Sequence, residues 1–429
     1  MTVCRLALLI PALLLGCGSL TIAAELPEVE DLPAVAELPD PLKMFDGATV
    51  ETKDQWETRR KPELKTLFQH YMYCYLGETP KVSATEESKH DDLFGGKATM
   101  KQVTLTVGPP ECPKLNLLLF VPNKTKDNRA APVVLGLNFT GNHTVLDDPR
   151  IALAKGWMRP GPGVENNQAT EAGRGASKAW SIEHCIDRGY AIATIYYGDI
   201  LPDKADLNGG VLPYFRKSGG SEHGPLDMHA IAAWAWGLHR GVDYLVTDKD
   251  VDPERIVVFG HSRNGKAALV AGAFDDRIAA VIPHQAGCGG TSPSRRKNPK
   301  GESVTIINKN FPHWFNANFK KLSGQEEKIP FDQHCLVALC APRPVLLSNG
   351  DQDQWADPPG QFDVLLAARP VYRLLGASGM PDDLKEPTPG KLVGDQLSYF
   401  VDGSKHLVDQ HYWDVFLDFA DKSLKPASK

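Results

Sequence analysis

Long apolar stretches are scarce in this 429-residue sequence. After the run Leu6–Leu15 nothing approaches the ~20 residues that a membrane-spanning helix needs, which excludes a polytopic membrane protein. Positive charge is also short. The 47 Lys and Arg against 53 Asp and Glu leave a net charge of −6, and a chain without a basic excess is poorly suited to nucleic acid or anionic membranes. Cysteine is sparse, at 8, and no pair has C-x-x-C or zinc-finger spacing, so neither a disulfide-stapled miniature fold nor a metal site is expected. There are no repeats or low-complexity tracts, and 42% hydrophobic residues exclude a disordered or collagen-like chain.

What is present begins with MTVCRLALLIPALLLGCGSLTIAA, residues 1–24. One cation, Arg5, precedes the apolar run, and small residues lead to Ala23-Ala24. This is the pattern of a secretory signal cleaved after Ala24, and it predicts a secreted or periplasmic protein. Leu14-Leu15-Gly16-Cys17 also reads as a lipoprotein signal, with Cys17 carrying the lipid; that anchor is the only membrane contact expected. Export permits disulfides among Cys74, Cys112, Cys185, Cys288, Cys335 and Cys340, which read as a few buried thiols or as one or two staples; Cys335 and Cys340 sit five apart on a predicted helix and pair poorly. Residues 25–45 are acidic and Pro-rich without an amphipathic period, and read as an extended tail or linker. Residues 46–425 then form one catalytic domain with insertions, expected to be a monomer.

Within that domain, apolar β-rich runs recur at Leu115–Pro122, Pro132–Asn138, Tyr190–Tyr197, Arg255–Gly260, Ala279–Pro283, Pro344–Ser348 and Leu397–Val401. Continuous apolar runs suit strands buried on both faces of a parallel sheet. Helical patterns alternate with them at Asp227–Leu245, Asn264–Ala273, Phe362–Leu375 and Asp409–Phe419. The alternation predicts an α/β fold: a three-layer αβα sandwich around a mostly parallel sheet, with loop insertions. Ligands of such sheets bind beyond the carboxyl ends of the strands, so polar residues just after strands carry the functional signal.

The strongest local signal is Arg255–Gly260 running into His261-Ser262-Arg263-Asn264-Gly265-Lys266. A serine in a sharp strand-to-helix turn exposes its hydroxyl above the sheet, and the helix N-terminus beneath it favours an oxyanion. Gly260 and Ser262 fit G-x-S-x-G, but Asn264 takes the last position and Gly265 follows one later. Two cations, Arg263 and Lys266, stand at the positive end of the helix, where an anionic ligand or intermediate would explain them. A hydroxyl nucleophile needs a base and an orienting acid, in the chain order Ser, acid, His. After Pro344–Ser348, Asp351, Asp353 and Asp357 compete; Asp353 is where that loop presents an acid, and the other two suit turn or helix caps. After Leu397–Val401 comes His406, where the base belongs. His411 falls inside a helix, His261 and His284 fall in other loops, and His143 either lines the cleft or satisfies a loop carbonyl.

These residues resemble the glucuronoyl esterases, carbohydrate esterase family 15, of the secreted bacterial type. Gly260–Lys266 looks like the family's serine motif, with Arg directly after the nucleophile and Lys four after it. Ala267–Arg277, Ile282–Gly290, Phe311–Phe315, Ala341–Pro344, Trp355–Pro358, Leu137–His143 and Arg188–Thr194 are similar too, so the likeness spans roughly residues 110–420. It implies an α/β-hydrolase fold and a serine esterase without metal or organic cofactor. The implied substrate is the ester between 4-O-methyl-D-glucuronate of glucuronoxylan and a lignin alcohol, cut through a glucuronoyl-enzyme. It further implies that Arg263 holds the oxyanion, that Lys266 and Glu302 contact sugar hydroxyls, and that Trp355 packs on the uronate. One departure stands out: many members carry a catalytic Glu where this chain has Gln285, so the acid is assigned to Asp353. Other readings are a different carbohydrate esterase, such as an acetyl xylan esterase, and a secreted carbohydrate-binding pseudoenzyme, for which Gln285 is the only support.

Overall fold

The computed structural model describes residues 26–76, 80–125, 129–214, 227–296 and 298–424, so the signal sequence and Cys17 lie outside the described residues. Ten strands form the main sheet: β1 Val82–Asp92, β2 Ala98–Val107, β3 Leu115–Pro122, β4 Ala131–Asn138, β5 Ala191–Tyr196, β6 Val251–His261, β7 Ala280–His284, β8 Val345–Gly350, β9 Val393–Gly394 and β10 Leu397–Asp402. Their spatial order is β1-β2-β3-β5-β4-β6-β7-β8-β10-β9. From β5 through β4, β6, β7 and β8 to β10 the pairing is parallel; the remaining pairs are antiparallel.

The parallel strands are buried on both faces because their apolar side chains alternate between two cores. Along β6, Ile256 and Val258 enter one core while Val257 and Phe259 enter the other. Helices α3 Ala230–Leu245, α4 Arg263–Phe274, α5 Gln333–Leu339 and α6 Pro358–Leu374 cover the first face, where α1 Lys61–Phe68 adds Leu64, Leu67 and Phe68. Helices α2 Ile182–Asp187 and α7 Gln410–Ser423 cover the second. Strands β1 and β2 escape a search for apolar runs because they are half-polar: β1 is mostly exposed and β2 alternates along its second half.

Between β5 and β4 the chain moves one way across the sheet, and from β6 onward it moves the other. The crevice beyond β4 and β6 is therefore the topological switch point, where the loops leaving the two strands diverge.

One expectation changes, and one alternative is decided. The segment read as a tail or linker carries a 3-10 turn at Val29–Asp31 and is strapped to the body. Val29 and Leu32 are buried, and Val35 N donates to Glu327 O at 2.7 Å. Tyr71, Arg60 and His334 donate side-chain protons to the carbonyls of Pro27, Pro41 and Pro39. A Pro-rich extended chain has few donors but keeps every carbonyl, and here the body supplies the protons. The cysteines Cys74, Cys112, Cys185, Cys288, Cys335 and Cys340 are buried thiols outside any disulfide.

Leu32 is 3% exposed. Leu32→Ala should therefore cost about 2–5 kcal/mol in denaturant unfolding, as for a core leucine; a cost near zero would return this segment to a tail.

Candidate active site

Ser262 caps α4 with φ +58° and ψ −126°, outside the regions comfortable for a side chain, so the turn must be held from both sides. Glycine supplies the room. A Cβ on Gly260 would lie 2.0 Å from the carbonyl oxygen of Asn264, and one on Gly265 would lie 2.9 Å from that of Gly260. Strand and helix thus cross at Gly260 and Gly265, which explains a second glycine one residue later than the usual pattern. Asn264, at the position where glycine was expected, is buried and donates to Leu137 O on β4 at 3.2 Å. Ser262 N donates to His284 O at 3.0 Å, which ties the turn to the end of β7.

The loops after β8 and β10 are joined before they diverge. Asp351 N donates to Asp402 O at 2.7 Å, and Gln352 N to Ser404 O at 3.0 Å. Three residues past β8, Asp353 is buried; four residues past β10, His406 is exposed; their Oδ2 and Nδ1 meet at 2.6 Å. The His406 ring lies against that of His261, centroid to centroid 4.4 Å, which brings the pair beside the Ser262 turn. Asp357 instead caps α6 through Gly360 N, as the sequence suggested.

Neither cation at the start of α4 is a solvated surface charge. Arg263 pairs with Asp203, whose side chain is 1% exposed, and its guanidinium lies over the rings of Phe311 and Trp314 at 5.2 and 4.8 Å. Burial would raise the Asp203 carboxyl, but hydrogen bonding from His313, the Arg263 charge and the Trp314 N–H together hold it well below the usual carboxylate range. His313 Nε2 and Trp314 Nε1 reach its Oδ1 at 2.7 and 3.0 Å. Arg159, about half exposed, reaches its Oδ2 at 3.2 Å. The Nε proton of Arg263 is buried and finds no acceptor among the described residues.

Lys266 is buried, and its Nζ donates to Ala286 O at 2.5 Å and Cys288 O at 2.7 Å, so two of its three protons hold the loop after β7. Burial lowers its pKa, and the nearby Glu302 charge opposes that. Glu302 itself is raised by burial, against Lys266 and the Trp355 indole. Glu302 N donates to Trp355 O at 3.0 Å, and the Trp355 side chain is 49% exposed, so the indole is no part of the core.

Sequence reasoning missed Asp203 and gave no role to Phe311, His313 and Trp314. The signal for Asp203 was available: it lies in the chain that leaves β5, where the rule about polar residues after strands applies. Of the two roles expected for His143, the structure removes one. It is buried, but neither ring nitrogen has a hydrogen-bond partner among the described residues, so it satisfies no carbonyl.

Removing one partner of a buried ion pair strands the other, at about 3–5 kcal/mol. Asp203→Asn should lose stability on that scale at pH 7. Because the folded carboxyl lies below its unfolded value, the contribution is complete above about pH 5 and declines only as pH falls below the ordinary carboxylate range. Urea unfolding at pH 7 and pH 3 measures this; an equal gap between wild type and variant at both would contradict it.

Comparison with known proteins identifies the family. Residues 222–376 match the family model described as glucuronyl esterase, fungi. A carbohydrate esterase from an unknown prokaryotic organism is 43% identical over 390 residues, 90% of this chain and 89% of the relative. A promiscuous carbohydrate esterase family 15 enzyme from a marine bacterial metagenome superposes with TM-score 0.84 at 41% identity, covering 92% of this chain and 99% of the other. A glucuronoyl esterase from Solibacter usitatus gives 0.82 at 38%, with the same coverage. With a sheet, a serine turn and an Asp–His pair arranged in this way, the chain belongs to the glucuronoyl esterases of carbohydrate esterase family 15, carboxylic ester hydrolases built on the α/β-hydrolase fold.

Proposed function

We propose that the protein hydrolyses uronate esters, with 4-O-methyl-D-glucuronate as the acyl group and a lignin-type alcohol as the leaving group. In this reading His406 takes the Ser262 proton as the hydroxyl attacks the C6 carbonyl. Asp353 holds the imidazole in the required tautomer and stabilises its charged form. The Arg263 guanidinium and backbone N–H groups at the start of α4 meet the oxyanion. The alcohol leaves with the proton from His406, and water hydrolyses the glucuronoyl-enzyme by the same route in reverse.

The observation that supports this most is the 2.6 Å contact of Asp353 with His406 beside the serine turn. The setting of Arg263 supports the oxyanion role. Asp203 and the Phe311–Trp314 slab fix the guanidinium before substrate arrives, and one preorganised donor of this kind is typically worth about 2.7–4 kcal/mol to the transition state. Exposed Trp355 is suited to stack on a sugar ring, and Glu302, with Lys266 behind it, to accept from sugar hydroxyls. We read the substrate as a fragment of glucuronoxylan or of a lignin–carbohydrate complex, met by a monomer after export through residues 1–24.

Ser262→Ala should abolish turnover of benzyl glucuronate while leaving the circular dichroism and melting curve intact. Asp353→Asn should lower kcat by about 10⁴-fold, the cost of the wrong imidazole tautomer. Retained turnover in the first variant would remove the nucleophile, and a small loss in the second would move the acid elsewhere. An acetyl xylan esterase would prefer an acetylated sugar to the uronate ester, and a pseudoenzyme would bind sugar with no turnover.

A further inference from the structure

The end of β7 grips the peptides on both sides of His406. His284, the last residue of β7, is 0% exposed, and its Nε2 meets Leu407 O at 2.9 Å. The next residue, Gln285, is 2% exposed, and its Nε2 donates to Lys405 O at 2.8 Å. The residue before the base and the residue after it are therefore both held by their carbonyls, from one short piece of chain.

The chemistry of the two contacts fixes the rest. A carbonyl only accepts, so His284 must carry its proton on Nε2, which leaves Nδ1 to accept from the Ser348 hydroxyl at 2.7 Å. Burial, with the His406 charge adding to it and hydrogen bonds opposing it, pushes the His284 pKa down to about 4, so the ring remains neutral where an esterase works. By the same logic the amide nitrogen of Gln285 must face Lys405. Its Oε1 then accepts from His261 Nε2, 2.9 Å away, and His261 is the ring packed on His406. Gln285 is held in this pose by its own N–H, which donates to Ser348 O at 3.0 Å, and by a left-handed φ of +47°.

We propose that His284 and Gln285 are positioning residues that clamp the His406 loop, and that the clamp requires an amide, not an acid, at position 285. A carboxylate there could still accept from His261, but it would face the Lys405 carbonyl with no proton to give. It would also lie against His261, away from the Nδ1 of His406 that Asp353 occupies. The amide at 285 then has a structural role of its own, and the lack of an acid there gives no sign of lost activity.

This inference rests on the serine-esterase reading, and Ser262→Ala separates the two. If that variant is inactive and the Gln285 variants turn over like wild type, only the clamp fails. The test compares Gln285→Met, which has the length without the hydrogen bonds, with Gln285→Glu, which keeps the acceptor and loses the donor. Both should lower kcat for benzyl glucuronate by about 10²-fold, the order expected for a misplaced catalytic group, with KM unchanged. In both, the low-field proton resonance of the His406–Asp353 hydrogen bond should broaden or vanish. A protonated Glu can donate, so the kcat of Gln285→Glu relative to wild type should rise as pH falls from 8 to 5; that ratio keeps the test open if the Met variant does not fold. Wild-type kcat with an intact low-field resonance in a folded variant, or a kcat ratio independent of pH, would overturn the proposal.

Discussion

Everything at the candidate site depends on one steric constraint, the crossing of β6 and α4 at Gly260 and Gly265. With a Cβ on Gly260 only 2.0 Å from the next turn of backbone, no larger residue fits. The crossing drives Ser262 to φ +58° and sets its hydroxyl at the top of the sheet, over the start of a helix. The strain in that residue is offset elsewhere, by the Ser262–His284 backbone bond and by Asn264 anchored to β4.

Around this fixed turn Arg263, Lys266 and Asp353 each have a partner among the described residues. Arg263 is paired with Asp203, Lys266 is spent largely on carbonyls, and Asp353 is turned to His406. A cation at a helix N-terminus is unfavourable by itself. The fold accommodates two by giving one a buried carboxylate and aromatic faces and the other two loop carbonyls. Those same partners immobilise the groups, which is what an oxyanion-stabilising site requires.

Much of this was legible in the sequence. The seven apolar runs name seven strands of the sheet, because strands buried on both faces must be apolar throughout. Ser262, Asp353 and His406 follow three of them, so a rule about strand ends narrowed the candidates, and the expected loop position chose Asp353 over Asp351 and Asp357. Strands β1 and β2 were invisible for the converse reason: a sheet edge exposed on one side mixes polar with apolar. The strap at residues 26–45 was misread because its attachment runs through backbone carbonyls, which every residue has and no composition reveals. Asp203, though it follows β5, and the His284–Gln285 clamp could not be singled out from local pattern, for a related reason. Their importance comes from partners far away in sequence, Arg263 at 60 residues and Lys405 at 120.

The central claim is that Ser262, raised on this strained turn and served by His406, is the nucleophile. Its most direct measurement is covalent trapping with an aryl phosphonate, followed by peptide mass mapping. The account predicts a single adduct, on the peptide containing Ser262, formed far more slowly in His406→Ala. An adduct on another residue, or rapid ester turnover by protein whose Ser262 is fully modified, would contradict it.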